Sequence, residues 1–590
     1  RASREALSFA LGLAEVDACT GKAHQADVAK TVFKILAGVD ESSHRSPNSD
    51  EAVQSAACRL VAEAREELVR LLGDDDDNLP PPLLYSSAFS YRWLSEPGLA
   101  LTILSHARDP AESRDPAVQH QRDVFLDLAA RFLDMAVTLE PRSTDVLYAG
   151  GLVHRVLGNH DRAADLLVRA ATLRFGVDAP VAGLEPVYAC YTGEPSAAAA
   201  PFCQSPRYPD IEIFDYYGVE QHVEDGPEGD RERAQERALR LEHGVAFELR
   251  HHAAQIRHLI TNDNGTNTLS VFLSSCGSWA HIADELDVLS EELARAQHQH
   301  RRTTSTLVRY PLLQTAQSPD RAQWRQAALL VHGRILHNRA TPALDASPLG
   351  DWDGADLEHR YLNQHGEGLL LAYQDGFLTP RALREIRAFC LESDVFKRVK
   401  GEPEAKLPSG YLGAYMENGF ASGLLFQIAA ALQDRLPRLL SGLRLTQAWA
   451  YKYAHGRGGR GAGGDDADTA VTRKGINVHA DEASVNVNFW ITEDDAGVDS
   501  GGLLVWDKAA PVDWDFDSMN MDKGKIYRYL RAEGEFAGGR VSRAVEVPYK
   551  ANRIVLFNSE LFHETGELRF RSGFKRHRIN LTFLFGGRRG

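Results

Sequence analysis

Beyond its midpoint, the chain changes the period of its apolar positions. Through roughly the first 345 residues they recur at three- and four-residue spacing among Ala, Leu and Arg, the pattern of amphipathic helices; 231–259 and 284–300 are examples. From about residue 445 the pattern tightens into alternation and short apolar runs: Leu503 to Trp506, Ala544 to Val547, Ile554 to Phe557 and Ile579 to Phe585. Gly, Asp and Pro separate these runs, which predicts short strands in a β-sandwich or barrel. Just before the change, Leu369 to Tyr373 predicts a strand, and Asp375 to Thr379 a turn. Pro380 then marks a helix start.

The helical part holds a candidate repeat with a period of 34 residues, one copy at 110–143 and the next at 144–177. Ala129 and Ala163 correspond, as do Leu133 and Leu167, and Ala136 and Ala170; Ala100, Leu104 and Ala107 hint at an earlier, poorer copy. The first copy closes on Leu139-Glu140-Pro141 and the second turns at Leu157-Gly158. This resembles tetratricopeptide repeats, in which small residues let paired helices approach closely. A generic Ala-rich helical bundle is the alternative. Upstream, Gly73, Asp74 to Asp77 and Pro80 to Pro82 predict a solvated linker, because like charges repel and proline cannot continue a helix. The expected division is a helical, repeat-like region at 1–178, a helical connecting region at 179–350, and a β-rich domain at 351–590 with its barrel core at about 442–590. The histidines of the connecting region (His251, His252, His258, His298 and His300) sit among Arg and Gln, and are expected on solvated helices without metal.

The chemistry concentrates in the β-rich domain. In an extended strand, residues i and i+2 point the same way, so His479 and Asp481 of His479-Ala480-Asp481 can share one metal. A histidine from elsewhere would complete a two-His-one-carboxylate facial set, the geometry of non-haem Fe(II) oxygenases, which leaves positions open for co-substrate and O2. His563, just after the buried-strand pattern Ile554 to Phe557, is the candidate third ligand. His-x-Asp is weak by itself, and His365-Gly366-Glu367 is a rival of similar form at a Gly turn. The final strand adds weight. Its odd positions from Ile579 to Phe585 are apolar, while its even positions carry Arg576, Arg578, Asn580 and Thr582 before Leu584. One face suits a core; the other suits a carboxylate, which arginine binds bidentately and hydroxyl or amide donors support.

His479-x-Asp481, then His563, then Arg578 near the end of a closing strand resembles the 2-oxoglutarate-dependent oxygenase pattern of a double-stranded β-helix, with the prolyl-hydroxylase-like branch nearest. Asp375-Gly376-Phe377-Leu378 and Gly501-Gly502-Leu503 resemble its opening and its Gly-Gly turn. The resemblance covers about 365–590. It implies Fe(II) at His479, Asp481 and His563, with 2-oxoglutarate, O2 and, in some members, ascorbate as further requirements. It implies binding of 2-oxoglutarate by Arg578, Thr582 and Asn580, with Tyr453 on the strand Trp449 to Tyr453 and Asn488 on Val485 to Ile491 as further contacts. The gap from His563 to Arg578 is longer than in many relatives, which keeps Arg576 as a rival anchor. Asp481 stands where halogenating relatives carry a small residue, so hydroxylation is favoured. The expected substrate is a peptide, a protein or an amino-acid-like molecule; a small metabolite is the alternative, and a non-catalytic repeat scaffold the second. The Gly- and Asp-rich 455–468 is read as a solvated loop or as a lid.

Composition narrows the remaining classes. Charged residues make up 25% of the chain and the net charge is −16, with no basic domain or stripe, so no nucleic-acid partner is expected. No apolar run approaches the ~20 residues that span a bilayer. The six cysteines show no CxxC spacing and read as reduced buried thiols. The chain begins at Arg1, consistent with a trimmed start; the compartment is open, the cytoplasm is favoured, and the helical region offers a face for a homodimer.

Overall fold

A computed structural model describes residues 116–139, 141–176, 247–261, 279–300, 334–363, 369–401, 410–453, 471–473, 475–497, 501–511, 519–520, 522–566, 568–571 and 573–587, with the single residues 324, 328 and 514. They fall into two compact units. One holds described residues up to Leu173 with Pro342–Ser347 and Ala421–Leu445; the other holds the described parts of Arg174–Thr341, Pro348–Phe420 and Thr446–Gly590. The linker at 73–82, the His365-Gly366-Glu367 rival and the 455–468 segment lie outside the described residues.

The first unit is helical. Helices Pro116–Leu139, Thr144–Val156 and His160–Phe175 are followed, much later in the chain, by Gly423–Arg435 and Pro437–Leu440. All six residues that suggested the repeat are buried: Ala129, Leu133, Ala136, Ala163, Leu167 and Ala170. The period itself does not recur in these helices. The second copy turns at Gly158, with φ +79, whereas the matching place in the first copy is Asp123-Val124, inside an unbroken helix. No helix breaker stands there, and a left-handed turn strongly favours glycine.

The described residues of the second unit carry twelve strands: β1 Leu371–Asp375, β2 Arg398–Gly401, β3 Gly410–Tyr415, β4 Leu445–Tyr453, β5 Val471–Arg473, β6 Val485–Trp490, β7 Leu503–Ala509, β8 Ala544–Val547, β9 Arg553–Asn558, β10 Leu561–Thr565, β11 Leu568–Phe570 and β12 Arg578–Phe585. They form a seven-stranded sheet in the order β1-β9-β6-β12-β4-β3-β2, a three-stranded sheet β10-β7-β8, and the pair β11-β5. One core cluster joins the two larger sheets: Leu371, Trp490, Val555 and Phe557 pack with Val505, Val547 and Leu561. The region is thus antiparallel and β-rich, as its alternating pattern predicts. The helix start at Pro380 is also present, with the Thr379 side chain accepting a hydrogen bond from Ala382 N.

The histidines of the connecting region depart from expectation. Residues 247–261 are helical, but His251, His252 and His258 are buried rather than solvated. His251 packs 5.7 Å from Phe574 and 6.0 Å from His577, ring centre to ring centre, and His252 Nε2 lies 3.2 Å from Asp394 Oδ2. Polar neighbours in sequence concealed this, since one helix face can be buried while Arg and Gln cover the other. The side chains of His298 and His300 lie outside the described residues. Among the described residues, no helix is long and apolar enough to cross a membrane.

Candidate metal centre

The two candidate histidines meet through their backbones. His479 and His563 form an isolated antiparallel bridge, with His479 N donating to His563 O at 3.0 Å and His563 N to His479 O at 2.8 Å. His563 lies on β10, and Asp481 is tied down nearby by its own N–H to Ser559 O at 3.1 Å. One ligand atom from each of His479, Asp481 and His563 lies within 4.8 Å of the others. Three donors at this spacing can hold a metal ion.

Hydrogen bonds aim the imidazoles. His479 Nδ1 lies 2.8 Å from Asn477 O, and His563 Nδ1 lies 3.0 Å from Leu561 O. A carbonyl only accepts, so each Nδ1 carries the proton and each Nε2 turns a lone pair inward. The Nε2 atoms then face Asp481 at 3.9 Å and 3.4 Å. Two lone pairs and a carboxylate repel one another unless a cation lies between them. Burial first, then His563, pushes His479 down to about 3, which keeps its imidazole neutral. Burial would raise the Asp481 carboxyl, but the His563 contact, both imidazoles and Asn486 hold it below the usual carboxylate range. A divalent metal requires neutral imidazole and ionised carboxylate, the forms that these shifts favour for His479 and Asp481.

A hydrogen-bonded row runs from Asp481 onto β12. Asn486 Nδ2 donates to Asp481 Oδ2 at 2.7 Å, and Asn488 Nδ2 donates to Asn486 Oδ1 at 2.7 Å. Asn488 Oδ1 accepts from Asn580 Nδ2 at 3.0 Å and from Thr582 Oγ1 at 2.7 Å. The register explains the meeting, since β12 pairs with β6 so that Thr582 stands opposite Asn488. Asn488 therefore uses both ends of its amide within the protein.

Arg578 begins the same face of β12, and 1% of it is exposed. Its Nε donates to Gly501 O at 3.0 Å, while Nη1 is buried without a hydrogen-bond acceptor. The guanidinium carbon lies 5.1 Å from the centre of the Tyr453 ring and 5.7 Å from that of Trp490. Burial raises the Tyr453 phenol; Arg578 and Thr565 are near enough to offset this in part, yet Oη lacks a partner in hydrogen-bond geometry. A buried donor without an acceptor is expensive unless a ligand supplies one. Arg576 is placed differently: it ends a 3-10 turn, Phe574–Arg576, in which no residue is buried.

Three features of this centre were not singled out from sequence. They are Asn486 as the donor to Asp481, the Gly501 carbonyl as the Arg578 acceptor, and Tyr549, whose hydroxyl donates to Thr492 O and whose ring lies 5.4 Å from Trp490. The Gly-Gly turn was a visible signal for the second. Gly501 has φ +92, and a Cβ on Gly502 would come within 2.3 Å of Val547 O. Asn486 lies on β6 two residues before Asn488, and no sequence pattern names Asp481 as its partner.

No family model matches the chain, and no curated protein does. Among solved structures the chain is similar to the non-heme alpha ketoglutarate-dependent epimerase SnoN from nogalamycin biosynthesis, with 13% identity over 40% of this chain and 83% of that one, at a TM-score of 0.27. It is also similar to a prolyl-4-hydroxylase from Pseudomonas putida, with 17% identity over 40% and 100%, at 0.23. A 2OG-Fe(II) oxygenase-family oxidoreductase from Burkholderia pseudomallei gives 11% identity over 43% and 100%, at 0.23.

Proposed function

We propose that residues 351–590 form an Fe(II)- and 2-oxoglutarate-dependent oxygenase. The observation that carries this reading is the convergence of two Nε2 lone pairs and one ionised carboxylate within 4.8 Å, in a centre whose polar row leads to the strand of a buried, unsatisfied arginine donor. His479, Asp481 and His563 would hold the metal and leave positions open. Arg578 Nη1 would take the distal carboxylate of 2-oxoglutarate, with the Tyr453 hydroxyl beside it as a second donor. Thr582, Asn580 and Asn488 would position this face through their hydrogen bonds rather than each holding the co-substrate alone.

When bound, the metal with 2-oxoglutarate and O2 supplies the oxidising chemistry: 2-oxoglutarate is decarboxylated to succinate and a substrate C–H bond is hydroxylated. The chain's own residues hold, aim and shield. Asn477 O and Leu561 O fix the imidazole tautomers, and Asn486 fixes the carboxylate. A carboxylate ligand at Asp481 favours hydroxylation over halogenation. For the substrate we favour a peptide, a protein or an amino-acid-like molecule. Trp449, Tyr451 and Tyr453 alternate along β4, and Tyr411 and Tyr415 pair with them across β3, a row of rings suited to apolar side chains. A small metabolite remains the second reading, because such a row also suits a flat ring.

The test is turnover by the full chain with Fe(II), 2-oxoglutarate and O2, read as succinate. Turnover is expected, and His479→Ala and Asp481→Ala should abolish it together with Fe(II) binding. Arg578→Ala should raise the 2-oxoglutarate KM by about 10- to 100-fold, the loss of a charge-assisted hydrogen bond, while Arg576→Ala leaves it unchanged. A chain that binds neither Fe(II) nor 2-oxoglutarate would overturn the reading.

A further inference from the structure

The segment that carries two of the candidate ligands is bonded on both of its edges, by different means. On one edge His479 N and O pair with His563, and Asp481 N donates to Ser559 O at 3.1 Å. Successive residues of an extended segment turn their N–H and C=O groups to opposite edges, so Ala480 directs its own groups away from β10. Ala480 is fully buried, where an unpaired N–H or C=O is costly. Asn520 meets both groups. Its Oδ1 accepts from Ala480 N at 3.1 Å, and its Nδ2 donates to Ala480 O at 2.9 Å. One side-chain amide thus makes the two-bond exchange that a residue of a neighbouring antiparallel strand would make.

Asn520 lies 40 residues further along the chain. It stands between β7 and β8, just ahead of the helix Lys523–Arg531, whose start Asp522 caps by accepting from Lys525 N. The buried Ile526 and Leu530 of that helix share a core cluster with Val478, Ala480 and Phe562. Those three are sequence neighbours of the ligands: Val478 precedes His479, Ala480 separates it from Asp481, and Phe562 precedes His563. Side chains alternate along extended backbone, so the ligands face the metal position while their neighbours face the helix. Apolar contact of this kind is non-directional and does not fix how a peptide plane is turned. The amide of Asn520 does. Ala480 N belongs to the peptide shared with His479, and Ala480 O to the peptide shared with Asp481. Both planes are therefore set by one side chain, in a centre whose ligands must be held to within about 0.5 Å.

We propose that Asn520 is a positioning residue of the metal centre, a role that rests on the reading of His479, Asp481 and His563 as metal ligands. Acting through Ala480, it sets the spacing and relative angle of His479 and Asp481, and with them the metal affinity of the site.

The test is titration of the full chain with Co(II), whose visible spectrum reports ligand geometry, beside the melting temperature of the metal-free protein. The wild type should bind. Asn520→Ala should weaken binding by about 10-fold or more, as the loss of an outer support does, and change the Co(II) spectrum. Ile526→Ala removes packing from the same helix and leaves the amide in place, so it should lower the melting temperature while affinity and spectrum stay near those of the wild type. If Asn520→Ala matches the wild type in affinity and spectrum, the proposal is overturned and the metal reading stands. A wild type that binds no Co(II) overturns the metal reading, and the proposal with it. If Ile526→Ala weakens binding as much as Asn520→Ala, packing rather than the amide positions the ligands, and the proposal fails. Should Asn520→Ala not fold, hydrogen exchange of the metal-free wild type, resolved to single residues, replaces it. The Ala480 amide should be protected like those of His479 and Asp481, and fast exchange at Ala480 alone would overturn the proposal.

Discussion

Asn486 illustrates how a neutral amide can govern a charged ligand. Its Nδ2 holds Asp481 Oδ2 at 2.7 Å, and its own Oδ1 is held in turn by Asn488. The carboxylate of Asp481 therefore inherits its orientation from β6 and β12. Removing such a partner typically weakens metal binding by about 10- to 100-fold, which we expect for Asn486→Ala, measured by titration with Co(II) as an Fe(II) surrogate. A purely structural role would lower the melting temperature and leave metal affinity alone. The contrast with His479 and Asp481 shows what sequence reveals at this scale. Those two declare themselves through a two-residue spacing that strand geometry makes meaningful. Asn486 reaches back to Asp481 across the bend 482–484, and no periodicity encodes that.

At the scale of elements, the strands were the most legible. β12 alternates because its odd positions join the core while its even positions carry the polar row, and burial of all eight residues reflects cover on both faces. Its register with β6 was not legible, since pairing depends on a strand almost a hundred residues away in sequence. The helical repeat is not shown by the described helices: small residues at matching offsets report close packing, and close packing does not require a repeated turn. Gly502 provides a test of sheet assembly. It lies at the start of β7, where a Cβ would come within 2.3 Å of Val547 O on β8. Backbone cannot retreat as a flexible side chain does, so Gly502→Ala must part β7 from β8 locally. Overpacking of this kind destabilises by about 1–3 kcal/mol, and urea unfolding should show a lower midpoint. An unchanged midpoint would mean that the two strands separate freely there.

At the scale of the second unit, Lys452 sets a pH dependence. It is fully buried on β4, facing away from Tyr451 and Tyr453, with its Nζ 4.1 Å from the centre of the Phe396 ring and donating to Gln255 Oε1 at 3.4 Å. Cys390, Asp394, Lys397, His251 and His258 surround it electrostatically. Burial pushes its amine from the ordinary 10.5 down to about 7. An unfolded chain protonates this lysine below 10.5, whereas the folded one resists until about 7, so the unfolded state binds more protons throughout that window. Stability should therefore rise with pH between about 7 and 10.5, and below 7 the penalty is complete, on the order of a few kcal/mol. Burial lowers His251, His252 and His258 as well, the last to about 4, which has the same sign and weakens the fold as pH falls below 6.5. Lys452→Met keeps an unbranched apolar chain beside Phe396 and removes the charge. The variant should be more stable than the wild type at pH 7 by a few kcal/mol, a margin that shrinks toward pH 10 as the pH approaches the 10.5 at which the unfolded wild-type amine also loses its proton. Urea midpoints of both proteins at pH 7, 8.5 and 10 measure that margin. A margin independent of pH would mean that packing, not protonation, separates the two proteins, and the buried amine would then be charged and satisfied within the fold.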